Sequence, residues 1–307
     1  MASGFDLAVL GADDPLGAAF LKALEDREIP VGRLYPLTLG EAEDSVSFMG
    51  EDWPCQDVAT FDFGLAQAVV VASPQAAAGR VVERVRGERP TMPVLGLDEV
   101  LPGPAVAVAR LLRVLRAVGG EVLAEAFVSL PVALAGKAGV DELLSQSRGL
   151  FNMESPDPEV FPLQVAFNVQ PLPDDAAQRY SPRALAAAMR ARQLPDVPGF
   201  SVSWAPLFYG AATALHARLE HAVSPDALRQ ALRHQEGVLL MESDLPAGNP
   251  TPATDSAESA DIFLGQVRVE GDTVRLWLVY DPLRLEAEQM LAVVENWIEK
   301  PTNSVLT

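Results

Sequence analysis

With 307 residues, 49% of them hydrophobic, the chain has material for two cores; its longest apolar run, Ala66 to Ala72, is interrupted by Gln67 and is far too short to span a bilayer. A formal net charge of −19 argues against nucleic acid and anionic membranes as partners, because phosphate contacts need clustered Arg and Lys. A single cysteine, Cys55, excludes an internal disulfide framework and suits a reducing cytoplasm, and the N-terminus shows no basic stretch leading into a long apolar segment.

Taken in chain order, the first third alternates strand and helix. Leu7 to Leu10 reads as a strand opening into Gly11-Ala12-Asp13-Asp14-Pro15-Leu16-Gly17, and Leu16, Phe20, Leu21 and Leu24 then recur at helical spacing to about Arg27. Short strands are predicted at Val31 to Leu37 and Ser45 to Phe48, with the acidic loop Glu41 to Asp44 between them. A buried strand at Ala68 to Ala72, a helix from Ala76 to Arg86 and a strand at Pro93 to Gly96 complete a β-α-β succession, which calls for a parallel sheet with helices on its faces. A further helix from about Ala105 to Val118 opens at Pro104 and closes at Gly119-Gly120.

The organisation changes after Gly120. Strands are predicted at Glu121 to Leu130, Phe161 to Val169, Val202 to Ala205, Thr213 to Glu220, Val238 to Met241, Ile262 to Val269 and Val274 to Tyr280. Helices are predicted at Val140 to Leu150, Ser181 to Gln193 and Pro225 to His234, and Pro246 to Ala260 reads as a long loop. The expected architecture is α/β: a Rossmann-type parallel sheet over residues 1–121, joined by a last helix in 285–307 that folds back onto it, and an α+β domain over 122–284 with a large, mostly antiparallel sheet.

The turn at Gly11 to Gly17 stands where a dinucleotide-binding loop would place backbone N–H groups against a pyrophosphate. Asp13 and Asp14 put two carboxylates there, each repelling the phosphates by about 1 kcal/mol in a partly wet site. Gly11, Asp13, Asp14, Pro15, Leu16 and Gly17 are therefore read as a vestigial cofactor turn. Elsewhere the chemistry is sparse. Acidic neighbours disfavour a thiolate at Cys55. His216 and His221 lie on or beside a strand without the ligand spacing of a metal site, and His234 suits the C-terminal end of a helix. Arg110, Arg113 and Arg116 form a stripe expected to face solvent or a subunit, and no Gly-x-Ser-x-Gly elbow anchors a hydrolase triad.

Several segments carry a family resemblance. Gly136-Lys137-Ala138-Gly139-Val140-Asp141-Glu142-Leu143 with Gln146-Ser147-Arg148, Pro156 to Pro162 continuing through Val165 to Val169, Pro250-Thr251-Pro252, Phe263-Leu264-Gly265, Leu276 to Val279 and Asp281-Pro282-Leu283-Arg284 resemble the aspartate-semialdehyde dehydrogenases in order and spacing. The resemblance spans nearly the whole chain. It implies an N-terminal Rossmann-type domain, a C-terminal dimerisation domain, a homodimer, and an activity that reduces aspartyl phosphate with NADPH in amino-acid biosynthesis. It also implies a nucleophilic cysteine turn, a phosphate-binding arginine, a glutamine, a substrate-binding arginine and a proton-handling histidine.

This chain departs from that pattern at each place. Leu101 to Ala105 stands for the cysteine turn, and the arginine-bearing segment before it is largely missing between Leu97 and Pro102. Leu130 stands for the glutamine, Trp204 for the substrate arginine and Ala211 for the histidine. Arg183 and Ala186 replace a Glu and Lys pair, and Met290 replaces a nicotinamide-contacting asparagine. Asp13 and Asp14 replace Thr-Gly in the cofactor loop, and acids at 41 to 44 replace an arginine for the 2′-phosphate, so NAD is less disfavoured than NADP.

The favoured expectation is a dimeric, non-catalytic paralogue with a binding or regulatory role, no catalytic residues, no bound cofactor and an unidentified protein partner or small ligand. The first alternative is an NAD- or NADP-dependent oxidoreductase with a rewired site. The second is a small-ligand sensor using Trp204, Tyr209 and Leu130, with Trp204, Phe208 and Tyr209 either filling the vacated pocket or forming an aromatic platform.

Overall fold

The computed structural model of the chain describes residues 4–39, 45–241 and 248–299. It divides into two compact units: Met1–Val100 with Glu286–Thr307, and Leu101–Leu285. The division falls before the helix at 103–119, whereas the sequence reading places its boundary after that helix, at 121. The acidic loop at 41 to 44 lies outside the described residues.

In the first unit, β1 (Phe5–Leu10) leads through the Gly11 turn into α1 (Pro15–Asp26) and β2 (Val31–Thr38). Then come β3 (Ser45–Phe48), β4 (Glu51–Pro54), β5 (Gln56–Asp57), β6 (Ala68–Val71), α2 (Ala76–Glu88) and β7 (Val94–Leu95). Five strands form an all-parallel sheet in the order β5-β2-β1-β6-β7. Leu7 to Leu10 and Ala68 to Val70 have no exposed surface, as strands covered on both faces require. Ala8, Leu10, Val69 and Val71 pack with Val81, Val82 and Val85 of α2 on one side; by alternation Leu7 and Val9 face the other. The strand at Ser45 acquires a partner the sequence reading did not predict. It forms a hairpin with β4, turned by Met49 and Gly50, both at positive φ.

The second unit holds α3 (Gly103–Gly119), β8 (Val122–Leu130), α4 (Lys137–Phe151), β9 (Gln170–Pro171), α5 (Pro182–Ala191), β10 (Gly199–Trp204), β11 (Ala211–Leu219), α6 (Pro225–His234), β12 (Val238–Leu240), α7 (Pro252–Asp255), β13 (Ile262–Glu270) and β14 (Thr273–Tyr280). The helix α8 (Pro282–Glu299) follows, starting ahead of the 285–307 segment expected to hold it, and from Glu286 it belongs to the first unit. There Arg27 of α1 pairs with Glu288 at 3.1 Å. The large sheet has the order β12-β13-β14-β11-β8-β10-β9 and is mostly antiparallel, with β10 parallel to β8 and β12 parallel to β13. Helices α3, α5 and α6 pack on this sheet. Alternation along β8 leaves Leu123 and Phe127 exposed while Ala124, Ala126 and Val128 are buried.

Two sequence expectations are corrected here. Phe161 to Val169 is not a strand but an irregular loop, and only Gln170–Pro171 pairs into the sheet. Side chains take the place of a ladder: Gln146 Oε1 accepts from the N–H groups of Val165 (2.8 Å) and Ala166 (3.1 Å), and Glu142 accepts from Glu159 (3.0 Å) and Val160. A run that satisfies its backbone on a helix's side chains need not seek a neighbouring strand. The long loop at Pro246 to Ala260 also contains one helical turn, α7; its residues 246 and 247 lie outside the described set.

Candidate functional site

The turn from Gly11 to Gly17 has the geometry of a strand-to-helix crossover. Gly11 sits at φ +77° and donates its N–H to Leu37 O at 2.8 Å, and Asp14 N–H returns to Gly11 O at 3.0 Å. Pro15 opens α1, where a missing N–H costs nothing, and Leu16 and Gly17 are buried beneath it. A Cβ on Gly17 would lie 2.7 Å from Ala12 Cα, and one on Gly11 would lie 2.7 Å from Ser73 Cβ. The two glycines thus allow helix, turn and the end of β6 to approach closely. Between them, Asp14 is the buried N-cap of α1, and Asp13 is partly exposed.

In the second unit the register gathers the other singled-out positions at one end of the large sheet. Trp204 pairs with Leu130 across β10 and β8, Ala212 pairs with Ser129 across β11 and β8, and Ala211 pairs with Tyr280 across β11 and β14. Immediately after β14, Pro282 presses on Gly103, where a Cβ would come 2.6 Å from Pro282 Cα. Leu130 and Ala211 have no exposed surface, and Leu101 to Ala105 are buried. Trp204 stacks edge-on against Phe161 at 5.2 Å and joins the cluster of Val132, Leu143, Val165 and Ala166. Phe208 and Tyr209 remain half exposed, on a loop whose carbonyls at Leu207 and Phe208 accept from Val132 and Ala133.

The ionisable groups at this end include Asp281, Tyr209 and the buried Arg284. Asp281 is buried and accepts from the N–H groups of Leu283 (2.9 Å), Arg284 (3.1 Å) and Glu258 (3.0 Å). Burial pushes its carboxyl above the usual range, with those bonds and the Arg284 charge opposing. Burial, and then the charges of Asp281 and Asp141, push the Tyr209 phenol up.

The other singled-out residues are dispersed. Cys55 is buried in the first unit. His216 contacts Phe127 at 5.7 Å on the sheet surface, and His234 Nδ1 lies 2.7 Å from Gln230 O at the end of α6. Among the described residues no three His, Cys, Asp or Glu side chains are grouped to hold a metal. Arg110 donates to Gly237 O at 3.0 Å and Arg116 pairs with Asp196 at 2.9 Å, so two of the stripe's three arginines brace loops of their own unit. Arg183 pairs with Asp174, Ala186 is buried on α5, and Met290 is buried on α8. The sequence reading missed Asp281 and the Gly103–Pro282 contact. Asp281-Pro282 is itself a helix-start signal, but nothing in one dimension points it at Gly103.

A five-stranded parallel sheet in one unit and a seven-stranded mixed sheet with this register in the other define a two-unit α/β fold. A family model described as semialdehyde dehydrogenase, dimerisation domain, matches residues 129–285, and the chain belongs to the semialdehyde dehydrogenase family. It is 30% identical to a USG-1 protein homologue of Azotobacter vinelandii, over 92% of this chain and 94% of that one. It is 25% identical to the aspartate-semialdehyde dehydrogenase of Legionella pneumophila, over 92% of each. In fold it resembles aspartate semialdehyde dehydrogenase II of Vibrio cholerae in complex with ASA, with a TM-score of 0.78 at 20% identity, covering 97% of this chain and 99% of that one.

Proposed function

We propose that this protein is a homodimeric, non-catalytic member of the semialdehyde dehydrogenase family, retained for binding or regulation. The observation that carries the reading is the end of the large sheet. Leu130, Trp204, Ala211 and Gly103 converge there with no thiol, imidazole, amide or guanidinium among them, and Pro282 fills the space a side chain at 103 would need. An acyl-transfer reduction needs a nucleophile to hold the acyl group and donors to stabilise the developing oxyanion. The family-matched dimerisation domain and the exposed Leu123 and Phe127 on the sheet support the dimer.

The cofactor turn does not fit a pyrophosphate well. Asp13, Asp14, Pro15 and Leu16 form its course between Gly11 and Gly17, but Asp14, the buried N-cap residue of α1, sets an acidic side chain at the helix end that a pyrophosphate would need. A second anion there meets repulsion of about 1 kcal/mol per carboxylate. Neither NAD nor NADP is therefore expected to bind strongly. The intact turn geometry at Gly11 and Gly17 is what favours the second reading, an NAD- or NADP-dependent oxidoreductase with a rewired site.

Calorimetric titration with NADH and NADPH, beside a turnover assay on aspartate semialdehyde and phosphate, separates the two. Absence of heat and turnover is the expected result. Robust turnover that persists in Cys55→Ser would overturn the non-catalytic reading. In the double variant D13T/D14G, nicotinamide affinity should rise at least tenfold, in keeping with about 2 kcal/mol of relieved repulsion, while turnover stays absent.

A further inference from the structure

The acidic excess of the chain is not spread evenly. Helix α3 carries Arg110, Arg113 and Arg116 and no acid, α5 carries Arg183 and Arg190 and no acid, and α6 sets Arg229 and Arg233 against Asp226 alone. Three helices thus hold seven of the chain's 23 lysines and arginines and one of its 42 acids. They lie side by side on the large sheet, α5 over β10, α3 over β8 and β11, and α6 over β12 and β13, so the strand order puts α3 in the middle. Two contacts fix their register. Arg116 of α3 pairs with Asp196 in the loop after α5, and Arg110 donates to Gly237 O just past α6. The C-terminal ends of α5 and α6 therefore flank the second half of α3, and Arg190, Arg113 and Arg233 fall in one band across the layer. All three are exposed and, among the described residues, make no ion pair or hydrogen bond. Cations elsewhere are paired, as Lys22 is with Asp26 and Arg218 with Asp272, both at 2.9 Å. Complementing a helix dipole accounts for Arg190 and Arg233 in their last turns, but not for Arg113 in mid-helix or for the missing acids. Beside the band, burial and then the charge of Arg179 hold the Arg192 guanidinium below its ordinary value, a crowding that an incoming anion relieves.

We infer that this arginine band docks an acidic segment of a partner polypeptide. Neighbouring packed helices lie about 8–10 Å apart, so the band runs about 20 Å from α5 to α6, the reach of about six extended residues. Guanidinium groups take carboxylates in paired, charge-assisted hydrogen bonds, which gives such a segment both attraction and register. A nucleic acid or an anionic membrane is a poorer match. None of the three helices contains an aromatic residue on which bases could stack, and a polyanion longer than the band would run onto the acidic remainder of the surface. The band lies along the second half of α3, apart from Gly103 at its start, and the inference stands whether or not the sheet end beside Gly103 supports turnover.

Fluorescence anisotropy of a labelled hexaglutamate peptide with the full chain tests this, at about 0.01 M and about 0.15 M salt. Binding with a Kd below about 1 mM that weakens as salt rises is the expected result. The variant R113E/R190E/R233E, its fold checked by circular dichroism, should weaken that binding about tenfold or more. The charge-matched R33E/R80E/R86E, at exposed positions of the first unit, should leave affinity within about threefold of wild type. A photo-crosslinking hexaglutamate on the wild type reads the same contact without depending on how any variant folds, with adducts expected on 106–117, 187–196 and 229–237. No binding, an equal loss in both variants, or adducts confined to other segments would overturn the inference. So would an oligothymidylate that binds more tightly than the peptide and loses affinity in R113E/R190E/R233E, because the band would then belong to a nucleic acid.

Discussion

At Gly103 the backbone of Pro282 leaves no room for a side chain. Because backbone atoms of Pro282 occupy the place of its Cβ, Gly103→Ala should destabilise the protein by about 3 kcal/mol, at the upper end of overpacking costs, read as a lower denaturant midpoint. The same contact predicts that Gly103→Cys restores no acyl chemistry. Thr213 and Tyr280 form a second buried point of contact, with hydroxyl oxygens 2.8 Å apart and both side chains fully buried. Burial pushes the Tyr280 phenol far up, so it stays neutral and able to donate at any working pH. Tyr280→Phe leaves the Thr213 hydroxyl without that partner and should cost about 1–3 kcal/mol.

Asp281 contributes to the pH dependence with a sign opposite to that of ordinary surface carboxylates. Its folded-state pKa is raised, by burial first, so the folded protein holds its proton more tightly than the unfolded chain does. Stability associated with it is fully present below the unfolded carboxyl range and is lost as pH rises through the folded value. Measured against Asp281→Asn, the wild type's relative stability should therefore fall between about pH 3 and neutrality; a relative rise would contradict the assignment.

Among the elements, α4 shows why a legible pattern was misread. Phe161 to Val169 has the alternating apolar residues of a strand, and the sequence offers no direct sign that Glu142 and Gln146, one helical turn apart, will supply its hydrogen bonds. Gln146→Leu should leave the N–H groups of Val165 and Ala166 without their acceptor and cost about 2–4 kcal/mol, with hydrogen exchange accelerating first in 158–166. Elements whose signals are local were readable to within a few residues. The helix at Pro225–His234 has Ser224 as its N-cap, accepting from Ala227 at 3.1 Å, and proline at its first position. The Gly11 turn was equally legible, because only glycine serves at φ +77° and at the close helix contact of position 17.

For the molecule as a whole, charge and apolar surface act against each other. At −19, self-repulsion is long-ranged when salt is low, and shortening the Debye length from about 30 Å at 0.01 M to about 8 Å at 0.15 M should raise both the melting temperature and the dimer affinity. Equal melting profiles at the two salt concentrations would show that the acids are dispersed too widely to matter.

What the sequence by itself determined was the succession of elements, the two architectures and the family. These follow from patterns a few residues long, from turn chemistry, and from residue identity in a recognisable order. Only the tertiary structure decided that Leu130, Trp204 and Ala211 meet at one sheet end, that Pro282 closes over Gly103, and that 158–166 fastens to α4 instead of pairing as a strand. Those outcomes depend on contacts between residues far apart in the chain, whose mutual distance is settled by strand register and close packing and leaves no local trace in the sequence.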